Sequence, residues 1–270
     1  MTSTSGSTQR SRPVSTAAVV THGSKDVREA VERVRRAAEQ AGVALVDDPR
    51  AADVAVAVGG DGTILRTLAT LLGSEVPVIG VNFGRVGFLA SIEPAALERD
   101  LQRVFAGEFV VVELPTLEVE LAGERHVAVN DVVATSSVLG RMVELGWSVG
   151  GEDLGVVPCD GMICATPSGS TAYNLSNGGP VLVRGLDAMA VTFIAPHSLH
   201  ARPLVVPRGL SLTVANRTPD VAVAVLVDGH RIGETAPGGS IEIWLCAQRS
   251  LLATLPETTF FGRYRETFSS

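Results

Sequence analysis

Val54-Ala55-Val56-Ala57-Val58 runs directly into Gly59-Gly60-Asp61-Gly62-Thr63, and no other stretch limits the possible fold so strongly. An apolar, valine-rich run that ends in glycines reads as a buried strand stopping at a tight turn. Beyond the turn, Thr63 to Leu72 places apolar residues at helical spacing and closes at Gly73. The turn therefore joins a strand to a helix N-terminus, where backbone N–H groups and the helix dipole both favour an anion. Gly59, Gly60 and Gly62 would let a phosphate approach main chain that a side chain would shield. Asp61 is out of character for a phosphate cradle, because its carboxylate repels the ligand. Holding a metal, taking a proton from an attacking hydroxyl, or orienting a sugar would each account for it. For so short a motif the plain alternative is a turn aspartate at a strand exit.

The flanking pattern supports a layered α/β arrangement. Val14 to Thr21 is predicted as a first strand, with Ser24 capping a helix whose face carries Val27, Ala30, Val31, Val34, Ala38 and Ala41 up to Gly42. Val43 to Val46 and Pro77 to Asn82 read as further strands, and Glu93 to Phe105, closed by Gly107, as another amphipathic helix. Strands alternating with helices at this spacing predict a parallel sheet with ligands at the carboxyl ends of its strands.

From about residue 109 the character changes. Val110–Glu120, Arg125–Ala134, Met142–Val149, Met162–Thr166, Val191–Phe193, Ser211–Ala215, Val221–Val227, Ile241–Cys246 and Leu251–Leu255 are strand-like. One helical candidate, Ser170 to Asn177, interrupts them, so this part reads as mostly antiparallel and sandwich-like. Its densest chemical signal is Cys159-Asp160-Gly161 followed by Thr166-Pro167-Ser168-Gly169-Ser170-Thr171-Ala172-Tyr173-Asn174-Leu175-Ser176. Hydroxyls and glycines where a strand meets a helix suit a neutral, hydrogen-bonding ligand such as a ribose or an adenine edge. A capped helix behind a Ser/Gly turn is the equal alternative. Asn130-Asp131 marks a strand end, and Asp228-Gly229-His230 reads as a hairpin turn.

Composition narrows the partners. The formal charge of −7 over 270 residues, without a basic tract, argues against nucleic acid and acidic membranes as partners. A polyanionic substrate would have to be held locally, by backbone amides, a few basic side chains and Mg²⁺. The longest apolar run, Val221 to Val227, is too short to span a bilayer. The three cysteines, Cys159, Cys164 and Cys246, lack metal-ligand spacing and read as reduced thiols of a cytoplasmic protein. Residues 1–12, rich in Ser and Thr, read as a disordered leader.

The glycine turn, the Thr166 to Tyr173 run, Val81-Asn82-Phe83-Gly84-Arg85-Val86-Gly87-Phe88-Leu89, and Pro196-His197-Ser198-Leu199 through Arg202-Pro203-Leu204-Val205-Val206 together resemble the NAD kinase family in order and spacing. The match runs from about residue 50 to residue 230. The turn alone is shared with phosphofructokinases and with diacylglycerol and sphingosine kinases, and Ser170-Thr171-Ala172-Tyr173 singles out the NAD kinases among them. The resemblance implies an α/β phosphate-donor domain over 13–108 with 252–270 returning to it, and a β-rich NAD-binding domain over 109–251. It implies transfer of a phosphoryl group to the 2′-hydroxyl of the adenosine ribose of NAD, giving NADP. ATP or polyphosphate would be the donor, Mg²⁺ the divalent metal, and the assembly a homodimer or homotetramer. Asp61 matches the family's general base or orienter, and Gly59, Gly60, Gly62 and Thr63 its phosphate turn. Asn130, Asp131, Asp160, Ser168, Thr171, Ala172, Tyr173 and Ser176 match its NAD-binding positions, with Asp160 reaching the nicotinamide side of a neighbouring subunit.

Two positions depart from that pattern. The family usually has glutamate where this chain has Asp131; losing a direct charged hydrogen bond there would cost roughly 1.5–3 kcal/mol. Pro158 matches neither residue type associated with the choice between NAD and NADH. Arg85 is a candidate phosphate helper or a solvated loop arginine, and His197 and His200 read as structural or rim residues. A catalytically inactive NAD-binding regulator is the alternative that Asp131 would favour. A diacylglycerol-type lipid kinase would need a membrane-binding segment that this chain does not show.

Overall fold

The computed structural model describes residues 7–10, 12–22, 27–83 and 87–269. In chain order the first strands and helices are β1 (Ser7–Arg10), β2 (Thr16–Thr21), α1 (Arg28–Ala41), β3 (Ala44–Leu45), β4 (Val54–Gly59), α2 (Asp61–Thr70), β5 (Val78–Asn82), α3 (Leu97–Phe105) and β6 (Phe109–Leu121). There follow β7 (Glu124–Ala128), β8 (Asp131–Ser136), β9 (Val143–Val149), β10 (Glu152–Cys159), β11 (Gly161–Ala165) and the single-turn α4 (Tyr173–Ser176). The remaining elements are β12 (Ala188–Ile194), β13 (Leu204–Pro207), β14 (Leu212–Asn216), β15 (Val223–Val227), β16 (His230–Thr235), β17 (Ser240–Thr254) and α5 (Phe260–Phe268). Two compact units result, Met1–Leu114 with Arg249–Ser270, and Pro115–Gln248. The divisions fall inside the long strands β6 and β17.

The first unit is built on a parallel sheet in the order β3-β2-β4-β5-β17. From β2 the chain steps outward to β3, then returns to the other side of β2 to lay down β4. The carboxyl ends of β2 and β4 thus form a topological switch point, where open α/β sheets bind ligands. All six residues of β4 are buried, which explains its unbroken apolar run: a parallel strand covered on both faces has no polar side to alternate with. On α1, Ala30, Val34, Ala37 and Ala38 form the buried stripe, whereas Ala41, expected on that face, is exposed. Gly42 ends the helix in the left-handed conformation at φ 70°. The expected cap Ser24 lies outside the described residues, as does Arg85.

Two expectations are corrected in this unit. Ser7–Arg10, part of the leader expected to be disordered, pairs antiparallel with β6, from Ser7 opposite Val112 to Arg10 opposite Phe109. The helix after the glycine turn begins at Asp61 rather than Thr63, so Asp61 and Gly62 belong to its first turn.

The second unit is an antiparallel β-sandwich. One sheet runs β13-β12-β11-β8-β15-β16, and the other includes β10-β9-β14-β17 together with the β6–β7 hairpin. Inward residues such as Leu117, Leu145, Met162, Met189, Phe193, Leu212, Val225 and Ile243 form one core. The expected strand Arg125–Ala134 breaks at Val129-Asn130 into β7 and β8, whereas Ile241–Cys246 and Leu251–Leu255 are one continuous β17. Among the described residues no helix is long and apolar enough to cross a membrane.

Candidate active site

At the end of β4 the turn closes through backbone bonds: Thr63 N–H donates to the Gly60 carbonyl at 2.9 Å, and Phe83 N–H to the Gly59 carbonyl at 3.0 Å. A β-carbon on Gly59 would overlap the Thr63 side chain, so glycine there is dictated by internal packing. Gly60 and Gly62 differ. Neither adopts positive φ, and a β-carbon on either would meet nothing within 4 Å among the described residues. The fold itself does not demand glycine at these two positions, but a ligand approaching the first-turn amides of α2 would.

Asp61 sits at the start of α2 with a fixed carboxylate. Its Oδ2 accepts the Phe88 N–H at 2.8 Å and its Oδ1 the Leu89 N–H at 3.2 Å. A β-carbon on Gly87 would overlap this carboxylate, so the loop closes directly over it. Each oxygen keeps lone pairs for a further donor, such as a substrate hydroxyl. Among the described residues no three His, Cys, Asp or Glu side chains gather as a metal cage. One carboxylate beside a glycine turn would fit Mg²⁺ held chiefly by substrate phosphates, the usual way this ion is bound.

In the second unit a different cluster forms where β8, β11 and β15 meet. Thr166 N–H donates to the Asn130 carbonyl at 2.8 Å, and Thr166 Oγ1 to the Val129 carbonyl at 2.7 Å. Ser170 Oγ donates to the Pro167 carbonyl at 2.7 Å and accepts Leu182 N–H at 2.9 Å. Asn174 binds the Ser170 and Pro180 carbonyls through Nδ2 and accepts from Thr192 Oγ1 at 2.7 Å. These residues are the frame of the loop. By contrast, Asn130 Oδ1 and Ser168 Oγ are buried and have no hydrogen-bond partner among the described residues. Burying an unpaired polar atom costs free energy, so these two atoms of one loop cluster are free to pair with a further group. Thr171 and Ala172 are half-buried beside them, and Tyr173 and Ser176 are exposed on α4.

Asp228 organises this cluster and was not singled out by its sequence context. It adopts φ 47° and Gly229 φ 80°, the paired left-handed residues of a tight hairpin turn. From there its carboxylate accepts N–H groups of Val129, Asn130 and Asp131 at 2.9, 2.7 and 3.1 Å. An Asp in a turn signals a possible amide acceptor, but nothing in the sequence says that its donors lie near residue 130. Asp131 is buried, and burial, assisted by the Asp228 charge, pushes its carboxyl up to about 7. Burial also raises Asp228, while the three amide donors oppose that rise. Within this pair Asp228 is the better-stabilised anion and Asp131 the natural holder of the proton.

Asp160 stands apart. It is exposed at the start of β11, whereas Asn130 and Thr166 lie at its far end. The five residues of β11 span roughly 16 Å at about 3.3 Å each. His197 and His200 are exposed. All three cysteines are free and buried, and burial pushes the Cys159 thiol up to about 12.

Comparison with known proteins identifies relatives along most of the chain. The ATP-NAD kinase N-terminal domain matches residues 6–109, and the ATP-NAD kinase C-terminal domain matches residues 129–255. The NAD kinase of Gemmatimonas aurantiaca is 38% identical over 220 residues, covering 79% of this chain and 76% of that protein. The NAD kinase of Thermomicrobium roseum is 35% identical over 262 residues, covering 93% and 90%. Among solved structures, an NAD kinase from Archaeoglobus fulgidus in complex with ATP superposes with a TM-score of 0.78 at 28% identity, covering 94% of this chain and 97% of that one. Yeast NADH kinase complexed with NADH shares the fold, with a TM-score of 0.83 at 22% identity, covering 95% and 88%. With both halves matched and such relatives aligned along most of its length, the chain belongs to the ATP-NAD kinase family.

Proposed function

We propose that the protein is an NAD kinase that transfers the terminal phosphoryl group of ATP to the 2′-hydroxyl of the adenosine ribose of NAD, giving NADP. The observation that carries this reading is Asp61: a carboxylate fixed by two amides beside a glycine turn whose Gly60 and Gly62 leave the helix N-terminus open. Phosphoryl transfer asks the protein mainly for positioning and charge stabilisation. Asp61 orients the 2′-hydroxyl and accepts its proton, and the amides of Gly60, Asp61 and Gly62 face the donor phosphates. A Mg²⁺ ion brought in on those phosphates would supply charge neutralisation, and Asp61 is the carboxylate beside the turn that would help hold it. Asn130 Oδ1 and Ser168 Oγ accept and donate hydrogen bonds to the dinucleotide, with Thr171, Ala172, Tyr173 and Ser176 lining the same loop.

Asp160 enters this reading through a second copy of the chain, because β11 separates it from its own protomer's Asn130. A homodimer or homotetramer, working in the cytoplasm, is therefore part of the proposal. Backbone amides read phosphates without reading a base, so inorganic polyphosphate is the second donor to assay. The test is a four-way assay of NAD or NADH with ATP or polyphosphate in the presence of Mg²⁺, repeated with Asp61→Asn. NADP formation that falls by about 10²–10⁴ in the variant supports the assignment. NAD binding with no product from any mixture would make the protein a binder rather than an enzyme.

A further inference from the structure

We infer that the C-terminal helix α5 is a positioning element for Asp61, acting through Phe88 and Ala90. The inference rests on the role given to Asp61 above. The carboxylate of Asp61 is oriented by the N–H groups of Phe88 and Leu89, so its aim is only as firm as that short loop. Downstream the loop is anchored to β5, where Ser91 and Ile92 donate to the Gly80 carbonyl and Asn82 donates to the Ile92 carbonyl. Between that anchor and Gly87, α5 holds the chain by two further grips.

The first grip is aromatic. The Phe88 ring lies 6.2 Å from Phe260 and 5.8 Å from Phe268, centroid to centroid, and Tyr264 packs edge-on to Phe268 at 4.9 Å. The second is polar. Arg263 Nη2 donates to the Ala90 carbonyl at 2.8 Å, while Nη1 faces Glu93 and Glu266 at 3.4 and 3.3 Å. Only 11% of the Arg263 side chain is exposed, although it stands on a helix near the chain terminus. Phe260, Arg263, Tyr264 and Phe268 recur at three- and four-residue spacing and so share one face of α5. Phe261, off that face, is 67% exposed. The helix thus directs its aromatic and cationic face at the two residues flanking Leu89. Phe88 is the junction: its main chain holds the Asp61 carboxylate and its side chain is held by α5.

A brace of this kind and a merely stabilising helix predict different kinetics. Displacement of a reacting group by an ångström costs turnover by up to about 10²-fold without altering ground-state binding in proportion. A stabilising contact changes only the folded fraction. The experiment uses the full chain with NAD, ATP and Mg²⁺, comparing wild type, Arg263→Gln, Arg263→Lys and Phe268→Leu, each checked by thermal melting. Arg263→Gln is expected to lower kcat about tenfold or more while KM for NAD and ATP stays within about twofold. Arg263→Lys, which can still donate to the Ala90 carbonyl, should recover part of the loss. Phe268→Leu supplies the same readout if Arg263→Gln does not fold. In an Asp61→Asn background, Arg263→Gln should cost nothing further, because residues acting through one group are not additive. Unchanged kcat in all folded variants, or a full additional loss on top of Asp61→Asn, would overturn the role of α5 while leaving the kinase reading intact. A wild type that forms no NADP, or an unimpaired Asp61→Asn, would overturn both.

Discussion

Gly87 lies against Asp61 so closely that a β-carbon on it would occupy the space of the carboxylate, while the next two residues donate their N–H groups to its oxygens. Specificity for glycine at position 87 is therefore a property of Asp61's environment. Gly87→Ala must push the carboxylate or the loop aside. Turnover is expected to fall by about a hundredfold, with circular dichroism still reporting a folded α/β protein. A Gly87→Ala enzyme with normal kcat would mean that the carboxylate tolerates displacement.

Gly60 and Gly62 make the opposite prediction. A β-carbon at either meets nothing among the described residues, and alanine in the first turn of α2 carries up to about 1 kcal/mol of helix preference over glycine at Gly62. Gly62→Ala should melt at or above the wild-type temperature, whereas Gly60→Ala, at the N-cap of α2 where alanine is a poorer cap than glycine, should melt slightly below it. Both should nonetheless raise KM for ATP, because in the proposed mechanism the added methyl groups would stand where the donor phosphates approach. Unaltered ATP kinetics in both would remove the phosphates from this turn.

The strand-turn-helix around Asp61 is readable in sequence because every residue that builds it is local: an apolar run, glycines, then a 3.6-residue period. The same holds for most of the parallel sheet. What escapes is non-local. Asp228 looks like any hairpin aspartate, and only pairing of β15 with β8 brings it under the amides of residues 129–131. The strands β10 and β16 escape because Glu152-Asp153 and His230-Arg231 lack an apolar alternation at exposed edges. Helix α5 escapes because its Phe and Tyr residues pack one face on Phe88 rather than joining a long amphipathic stripe. Asn130 and Ser168 are legible by resemblance, but only the structure separates them from Ser170 and Asn174, whose polar atoms are consumed internally.

That separation is testable with a matched pair of serines. Ser168→Ala removes a hydroxyl that has no partner among the described residues, so the melting temperature should hardly move while KM for NAD rises. Ser170→Ala strands the Leu182 N–H and the Pro167 carbonyl in a buried site and should cost roughly 1–3 kcal/mol of stability. Denaturant titrations with NAD saturation curves distinguish the two. A Ser168→Ala enzyme with unchanged KM for NAD and a large stability loss would reverse the assignment.

Asp131 links stability to pH. Its carboxyl is raised to about 7 in the folded chain, chiefly by burial and then by the Asp228 charge, against about 3.9 in an unfolded chain. A raised carboxyl binds its proton more tightly when folded, so between roughly pH 4 and pH 7 the folded state holds more protons than the unfolded one. Stability contributed by the protonated Asp131 is complete below the unfolded value and is lost as pH climbs through about 7. Above that, the buried Asp131 carboxylate carries a charge beside that of the half-buried Asp228, to which the three amides are committed. Asp131→Asn keeps the size, removes the second charge, and should flatten the melting temperature between pH 5 and 8 while raising it at the alkaline end. Asp228→Asn should instead lower stability at every pH, because a neutral amide accepts more weakly from the N–H groups of Val129, Asn130 and Asp131. Parallel melting curves for wild type and Asp131→Asn across that range would show that Asp131 is ionised throughout and that the proton of the pair lies elsewhere.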